Sequence, residues 1–296
     1  MKFLVSKQAL IIISILVLVG LGFLLSLSLK GKPSVPQPLE VSPTPTPLVL
    51  HKIIGKSVQG RTINAYVYGN GATHLLFVGG IHGGYEWNSV LLAYEAMDYL
   101  KKNPDAVPKK ITVAIIPSAN PDGLFKVVQK EGRFSVADIP TTKLIEGTGR
   151  FNAHNVDLNR NFDCNWKPKS TWKNNVVSAG TSAFSEPEAQ AIRDFVFDFS
   201  PDAVVFWHSK ANAVYASECN NGVLPKTLDI MNTYAGASGY TPIKSFDAYK
   251  VSGDAEGWLA SINISAITVE LSTHETVELA QNIRGMRALI ESYTHQ

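Results

Sequence analysis

The sequence predicts an α/β domain built on a mixed, mostly parallel sheet, and the spacing of apolar residues is the basis for this prediction. Short apolar runs typical of buried strands alternate with longer segments whose apolar residues recur every three or four positions, as on one helix face. Strands that alternate with helices favour a largely parallel sheet covered on both faces. Of the 296 residues, 45% are hydrophobic, which is enough for one sizeable core.

The predicted strands are short runs that stop at turn residues. The first run alternates between apolar and polar residues, whereas the others are apolar runs of the kind found inside a sheet. Gly79 and Gly80 end the second run, and a Pro- and Gly-containing turn at 120–123 follows the third. The predicted strands are residues 63–68, 73–78, 110–116, 202–207 and 266–271.

The predicted helices are the segments with helical spacing of apolar residues. One of them has Pro187 in its first turn, where the fixed φ of proline and its missing N–H group are tolerated. The final helix is the longest of the set. The predicted helices are residues 88–101, 186–199, 224–235, 256–262 and 276–294.

The N-terminal region differs in composition from the rest. Residues 8–29 contain no charge, and as a helix they would extend roughly 33 Å at about 1.5 Å per residue, enough for a bilayer core. We expect residues 1–29 to be a transmembrane helix, with the rest of the chain outside the cell membrane. The alternative is a cleaved signal peptide, which would give a secreted protein.

The two remaining regions are a linker and a folded domain. Residues 30–47 are rich in proline, serine and threonine, as in semi-rigid spacers, and residues 48–296 form the predicted domain. The net charge of +2 and the lack of a Lys/Arg-rich stripe argue against a nucleic-acid partner, and we expect a monomer. Cys164 and Cys219 would form one disulfide after export or remain two buried thiols.

Four polar side chains stand at or just after predicted strand ends. His82 and Glu86 follow the second strand, His208 follows the fourth, and Glu270 ends the fifth. In a parallel sheet, ligands bind beyond the carboxyl ends of the strands, so these side chains should converge. Two imidazoles and a carboxylate can hold one Zn²⁺, and a separate carboxylate can act as a base towards water.

A second pair of side chains indicates what would bind beside the metal. Asn159 and Arg160 lie in the segment Asn-Val-Asp-Leu-Asn-Arg-Asn-Phe, residues 155–162. A planar guanidinium binds a carboxylate through two parallel hydrogen bonds, and an adjacent amide adds a further donor. The pair therefore predicts recognition of the free C-terminus of a peptide substrate.

Six short motifs in a fixed order resemble the zinc carboxypeptidase family, the M14 metallocarboxypeptidases. They are HGGYE, NPDG, NVDLNRNF, FWHS, YKVSGDAEGW and ITVEL, and the resemblance extends from about residue 55 to residue 286. It implies a single domain with an eight-stranded mixed sheet. The chain departs from the commonest family pattern, His-x-x-Glu, because three residues separate His82 from Glu86.

The resemblance also implies roles for individual residues. His82, Glu86 and His208 would bind one zinc ion per chain, and Glu270 would be the general base that activates water. Asn159 and Arg160 would bind the terminal carboxylate of the substrate, over which Tyr249 would close.

Three further assignments are less direct. Arg150 would polarise the scissile carbonyl, with Arg133 as the rival, and Asp157 would support the first zinc histidine. Glu256 or Asp254 would form the floor of the substrate side-chain pocket, where a carboxylate favours a basic or amino-bearing residue. The acids here are equally explained by the start of a helix, which favours negative charge.

The predicted function is that of a zinc metallocarboxypeptidase acting on exported or extracellular peptides. One alternative keeps the same residues but takes cell-wall peptides, whose diaminopimelate amino group would meet the acid in the pocket. An inactive peptide-binding module is a third possibility, although the ligands, the base and the arginine pair are all present in the sequence.

Overall fold

The structure is a computed structural model that describes residues 7–28, 49–142 and 145–294. It divides into two compact units, Met1–Pro45 and Thr46–Gln296. The predicted linker, residues 30–47, lies outside the described residues, so its conformation stays a prediction.

The first unit contains helix α1 (Lys7–Ser28), which lies where the sequence predicted a membrane anchor. Among the residues that the structure describes, no helix combines the length and the apolar character that crossing a membrane requires. The transmembrane helix expected from the sequence is therefore not found.

The second unit is built around one large sheet. Its strands are β1 (Val49–Lys56), β2 (Thr62–Gly69), β3 (Thr73–Gly79), β4 (Ile111–Ile116), β5 (Lys169–Trp172), β6 (Asn175–Ser178), β7 (Ala203–Ser209), β8 (Ala213–Ala216), β9 (Glu218–Cys219), β10 (Gly222–Val223), β11 (Thr241–Ile243) and β12 (Ser265–Leu271). In the described residues, eight of them form the main sheet in the order β1-β2-β4-β3-β7-β12-β8-β11. The four central strands β4, β3, β7 and β12 run parallel, the pairs β1–β2, β2–β4 and β12–β8 are antiparallel, and β11 pairs parallel with β8. The predicted mixed, mostly parallel sheet is confirmed.

Helices cover both faces of this sheet, as the sequence pattern predicted. They are α2 (Trp87–Lys102), α3 (Pro121–Val128), α4 (Pro187–Phe199), α5 (Pro225–Ser238), α6 (Ala255–Ser261) and α7 (Leu279–Thr294). Alternate side chains of β3 enter different cores, because successive residues of a strand point to opposite faces. Leu75 and Phe77 pack with α2, α3, α5 and α7, whereas Leu76 and Val78 pack with α4 and α6.

Some elements differ from the sequence prediction. The edge strands β1 and β11 were not predicted, because most of their residues are exposed and they lack a buried apolar run. The last helix begins at Leu279 rather than at residue 276. The Glu278 carboxylate accepts hydrogen bonds from the Ser272 backbone N–H (3.0 Å) and the Tyr240 hydroxyl (2.5 Å), which holds residues 272–278 in a loop.

Cys164 and Cys219 form a disulfide, which decides a question that the sequence left open. Their Cα atoms are 6.2 Å apart, and 55 positions separate them in sequence. Gly253 donates its N–H to the Cys164 carbonyl (2.8 Å), so the bridge joins β9 to a segment that is itself held against the start of α6. The disulfide therefore fixes the chain that follows Asn159 and Arg160.

We expect the double substitution Cys164→Ser and Cys219→Ser to lower the free energy of unfolding by about 2–4 kcal/mol, because a bridge across a long loop restricts the unfolded chain. Denaturant unfolding of the full chain measures the difference. Reductant should destabilise the wild-type chain and leave the double variant unchanged. Equal stabilities of oxidised wild type and variant would contradict the expectation.

Candidate active site

Three neighbouring parallel strands bring the predicted site residues to one edge of the sheet. The order β3-β7-β12 places the turn after β3 beside the ends of β7 and β12. His208 in β7 and Glu270 in β12 are direct partners in the strand register, and His82 follows β3. The convergence expected from the sequence is present.

The turn that carries His82 and Glu86 depends on glycine. Gly80 has φ +65° and Gly83 has φ +46°, in the left-handed region that favours glycine. A Cβ atom on Gly83 would lie 2.7 Å from the Gly149 carbonyl oxygen, so a larger residue does not fit. Residues Gly83–Glu86 form a 3-10 turn that absorbs the additional residue between His82 and Glu86 and leads directly into α2.

His82, Glu86 and His208 form a compact, buried donor set. The His82 Nδ1 and Glu86 Oε1 atoms are 2.8 Å apart, and the His208 Nδ1 and Glu86 Oε2 atoms are 3.1 Å apart. The two histidine Nδ1 atoms face each other at 3.2 Å. In the described part of the chain, this is the one cluster of His, Cys, Asp and Glu side chains that could hold a metal ion.

The donor set fits zinc. A tetrahedral zinc ion with bonds of about 2.0–2.1 Å requires ligand atoms roughly 3.4 Å apart, close to the separations observed. The three mutual contacts of these atoms compete for the protons on two Nδ1 atoms, whereas a single cation can bind both nitrogens and the carboxylate. Three protein ligands leave one coordination position open, which is typical of catalytic sites rather than structural ones.

Carboxylates stand behind both histidines. The His208 Nε2 atom lies 3.1 Å from Glu256 Oε1, which also accepts a hydrogen bond from the Thr268 hydroxyl (3.0 Å). The His82 Nε2 atom is 3.5 Å from Asp157 Oδ1. Such carboxylates orient ligating imidazoles and fix their tautomers.

These contacts change the interpretation of Glu256. The sequence placed it at the floor of the substrate pocket, but the structure places one of its oxygens against a metal-site histidine. Burial, the largest single effect, would raise the pKa of Glu256, but the hydrogen bond and charge of His208 and the hydrogen bond from Thr268 together outweigh burial and lower that pKa. Asp157 lies behind His82, at the position expected from the sequence.

Arg150, and not Arg133, lies in the site. Arg150 donates Nε to Asp157 Oδ2 (2.9 Å), and its Nη1 atom is 3.8 Å from Glu86 Oε1. Arg133 is half exposed and forms a two-bond ion pair with Asp98 on the surface of α2. Burial favours the neutral form of Asp157, but the charges of Arg150 and Arg160 and the interaction with His82 together outweigh burial, and the pKa of Asp157 lies far below its usual value.

Asn159 and Arg160 are buried in the 3-10 turn Leu158–Arg160, which begins at Asp157. The Asn159 Oδ1 atom accepts a hydrogen bond from the backbone N–H of Ala255, the first residue of α6 (2.8 Å). The side-chain NH₂ group of Asn159 therefore points away from α6. Arg160 donates Nε and Nη2 to the Thr171 carbonyl and Nη1 to the Asn159 carbonyl. A guanidinium has five N–H donors, so two remain for a carboxylate.

Tyr249 lies in the loop between β11 and α6, where it packs on other aromatic rings. Its ring is 4.9 Å from that of Phe246, which in turn is 5.5 Å from Tyr215. Tyr215 is the register partner of Thr268, two residues before Glu270, so this aromatic group borders the same edge of the sheet.

Glu270 lies beside His208 in the strand register, and its carboxylate is buried. Its Oε2 atom is buried without a hydrogen-bond partner among the described residues. Burial, and then the negative charge of Glu86, raise the pKa of Glu270 to about 8. A carboxylate with a raised pKa holds a proton more readily than an exposed one, which suits a group that must accept and then release a proton.

Two aromatic side chains at the site had no signal in the sequence. Trp172, in β5, covers the guanidinium of Arg150, and His274 lies 4.6 Å from the ring of Tyr85. The His274 Nδ1 atom is 2.7 Å from the Ser209 hydroxyl. Trp172 belongs to a short strand and His274 to a loop, and neither lies in one of the six sequence motifs, so only their packing reveals them.

The fold and this donor set define a zinc-peptidase site, and comparison with known proteins gives the family. The zinc carboxypeptidase profile matches residues 44–288, and the chain belongs to this family. It is 22% identical over 240 residues to γ-D-glutamyl-L-diamino acid endopeptidase 1 of Lysinibacillus sphaericus, a match that covers 74% of this chain and 60% of the relative.

Solved structures show the same fold. Murein-tripeptide amidase from Escherichia coli O157 aligns with a TM-score of 0.58 and 21% identity over 82% of this chain and 90% of that protein. Carboxypeptidase A from Helicoverpa armigera aligns with a TM-score of 0.62 and 21% identity over 83% of this chain and 70% of that protein. At these identities the likeness concerns the fold alone.

We expect the full chain to bind one zinc ion and to be stabilised by it, because a ligand that binds only the folded state at 1,000 times its Kd adds about 4 kcal/mol. Elemental analysis and thermal unfolding before and after chelation measure both quantities. His208→Ala should lose the metal and the chelator-sensitive part of the stability. His274→Ala, a neighbouring histidine outside the donor set, should keep both. Zinc retained by His208→Ala would refute the assignment.

Proposed function

We propose that the protein is a zinc metallocarboxypeptidase that hydrolyses the C-terminal peptide bond of peptides with a free C-terminus. The observation that carries this proposal is the position of Arg160 and Asn159. Both are buried in the turn that begins at Asp157, which contacts the metal-site histidine His82, and both have donors left for a carboxylate. A buried cation at this point favours a substrate that ends there with a negative charge.

The chain supplies binding, polarisation and proton transfer. Arg160 and Asn159 hold the terminal carboxylate, and Arg150 donates from Nη1 to the scissile carbonyl oxygen as negative charge develops on it. Glu270 accepts a proton from the attacking water and delivers it to the leaving amine. A zinc ion held by His82, Glu86 and His208 would supply a Lewis acid at the same point.

A second candidate function is the hydrolysis of cell-wall peptides by the same residues. Two of the relatives carry names that refer to murein or γ-D-glutamyl-diamino acid substrates. Glu256 supports this candidate, because its carboxylate is buried and accepts hydrogen bonds through Oε1, which leaves Oε2 for an amino group. A diamino acid at the C-terminus would provide that group.

We further propose that the enzyme is exported and acts as a monomer that does not bind nucleic acid. The disulfide supports export, because such bridges persist in oxidising compartments. The net charge of +2 supports the absence of a nucleic-acid partner.

The wild-type chain should release single residues from peptides with a free C-terminus and leave C-terminally amidated peptides intact, because an amide lacks the charge that Arg160 binds. Mass spectrometry of the products of matched peptide pairs measures this.

Glu270→Gln should reduce kcat by at least about 100-fold, since general-base catalysis contributes about 10²–10⁴. Glu275→Gln, in the following exposed loop, is the control and should remain active.

Each other outcome of this experiment has a definite meaning. Equal cleavage of amidated peptides would refute the carboxypeptidase and favour an endopeptidase or amidase. Zinc binding without turnover of any peptide would favour the peptide-binding module.

We expect Glu256→Gln to discriminate between the two candidate substrates. If an amino group meets this carboxylate, the substitution should lower kcat/KM for peptides ending in lysine or diaminopimelate about 10-fold more than for peptides ending in leucine. The leucine peptide is the internal control, because loss of support for His208 would affect all substrates equally. An equal loss for all peptides would leave Glu256 with a role at His208 only.

A further inference from the structure

Three successive residues of the β5–β6 hairpin, 171–173, each contact a different residue of the site. The Thr171 carbonyl accepts two hydrogen bonds from Arg160, at 3.2 and 3.0 Å. The Trp172 ring lies against Arg150, whose Cζ atom is 4.5 Å from the ring centroid. The Lys173 Nζ atom is 3.4 Å from the hydroxyl of Tyr85, which lies in sequence between His82 and Glu86. The hairpin thus forms one wall of the site.

Arg150 is restrained on one edge and on one face. Its Nε and Nη2 atoms both bond to Asp157 Oδ2, at 2.9 and 2.8 Å, which fixes that edge of the guanidinium. The Trp172 ring covers its face and restricts rotation of the guanidinium plane. The edge that remains carries Nη1, which lies 3.8 Å from Glu86 and therefore faces the metal site.

Trp172 is itself held in place by its surroundings. It is 7% exposed, and its ring meets the edges of Tyr85 (5.3 Å) and Phe151 (6.2 Å). Gly147, at φ +83°, passes so close that a Cβ atom there would lie 3.0 Å from the indole. An indole packed in this way is a rigid surface for a cation, and indole binds cations better than other aromatic rings do.

We propose that Trp172 is a positioning residue that sets the guanidinium plane of Arg150 so that Nη1 faces the developing negative charge on the substrate carbonyl oxygen. The inference rests on the proposed function, because it assigns Trp172 a part in the step that Arg150 performs. The same hairpin holds Arg160 through the Thr171 backbone, so changing the Trp172 side chain leaves the terminal carboxylate site intact.

The test compares two substitutions that both remain apolar in the zinc-loaded full chain. Trp172→Phe keeps a flat aromatic face and should retain kcat within about 3-fold of wild type. Trp172→Leu fills the space without that face and should lower kcat by about 10-fold or more, since misplaced transition-state donors cost this much. Both variants should stay close to wild type in four other quantities: KM, inhibition by the released amino acid, the amount of bound zinc and the midpoint of thermal unfolding.

A double-substitution cycle shows whether Trp172 acts through Arg150. In an Arg150→Gln background, Trp172→Leu should change kcat by less than about 2-fold, because the group it positions is gone. Trp166→Leu is the matched control. That indole bonds to the Ala179 carbonyl (2.9 Å), and its removal should leave the kcat of the wild-type background unchanged.

Several results would overturn the proposal. An unchanged kcat in Trp172→Leu would do so. So would a double variant in which the kcat losses of Trp172→Leu and Arg150→Gln multiply, because the two residues would then act independently. A third such result is that the Phe and Leu variants lose kcat, bound zinc and thermal stability to the same extent. A wild-type chain that hydrolyses none of the peptides would instead refute the proposed function.

Discussion

The site depends on placing three buried carboxylates next to a buried cation or an imidazole. Glu86, Asp157 and Glu256 are each at most 3% exposed, and an isolated buried charge of this kind would be strongly unfavourable. Glu86 lies between the two histidines, Asp157 between Arg150 and His82, and Glu256 behind His208. Because each acid is shared between neighbours, moving one of these side chains would leave another unpaired.

The sheet supplies the rigid frame that such a network needs. Parallel pairing of β3, β7 and β12 fixes the relative heights of His82, His208 and Glu270 through backbone hydrogen bonds. The loops that carry the arginines are less regular, and they are fixed by the disulfide at Cys164, by the β5–β6 hairpin and by the contact of Asn159 with Ala255. The candidate metal ligands thus lie at or after strand ends, and the proposed substrate-binding groups lie in loops that these contacts hold in place.

Prediction from sequence was most successful where a residue type and a strand end occur together. His82, His208 and Glu270 follow apolar runs, and their convergence is a consequence of the parallel sheet. It was less successful where a charged side chain has several possible partners. Glu256 begins a helix in a segment rich in acids, and nothing in that segment shows that its neighbour in space is His208, 48 positions away.

The sequence by itself determined the α/β class, because local spacing of apolar and polar residues encodes strands, helices and turns. It also singled out the candidate metal-binding residues and the pair Asn159 and Arg160, because their residue types and positions after strands or in a short motif are visible locally. Only the tertiary structure decided between Arg150 and Arg133, joined Cys164 to Cys219 and set Trp172 against Arg150. These are contacts between segments distant in sequence, and they depend on how loops pack against the sheet. Local sequence patterns carry no information about that packing.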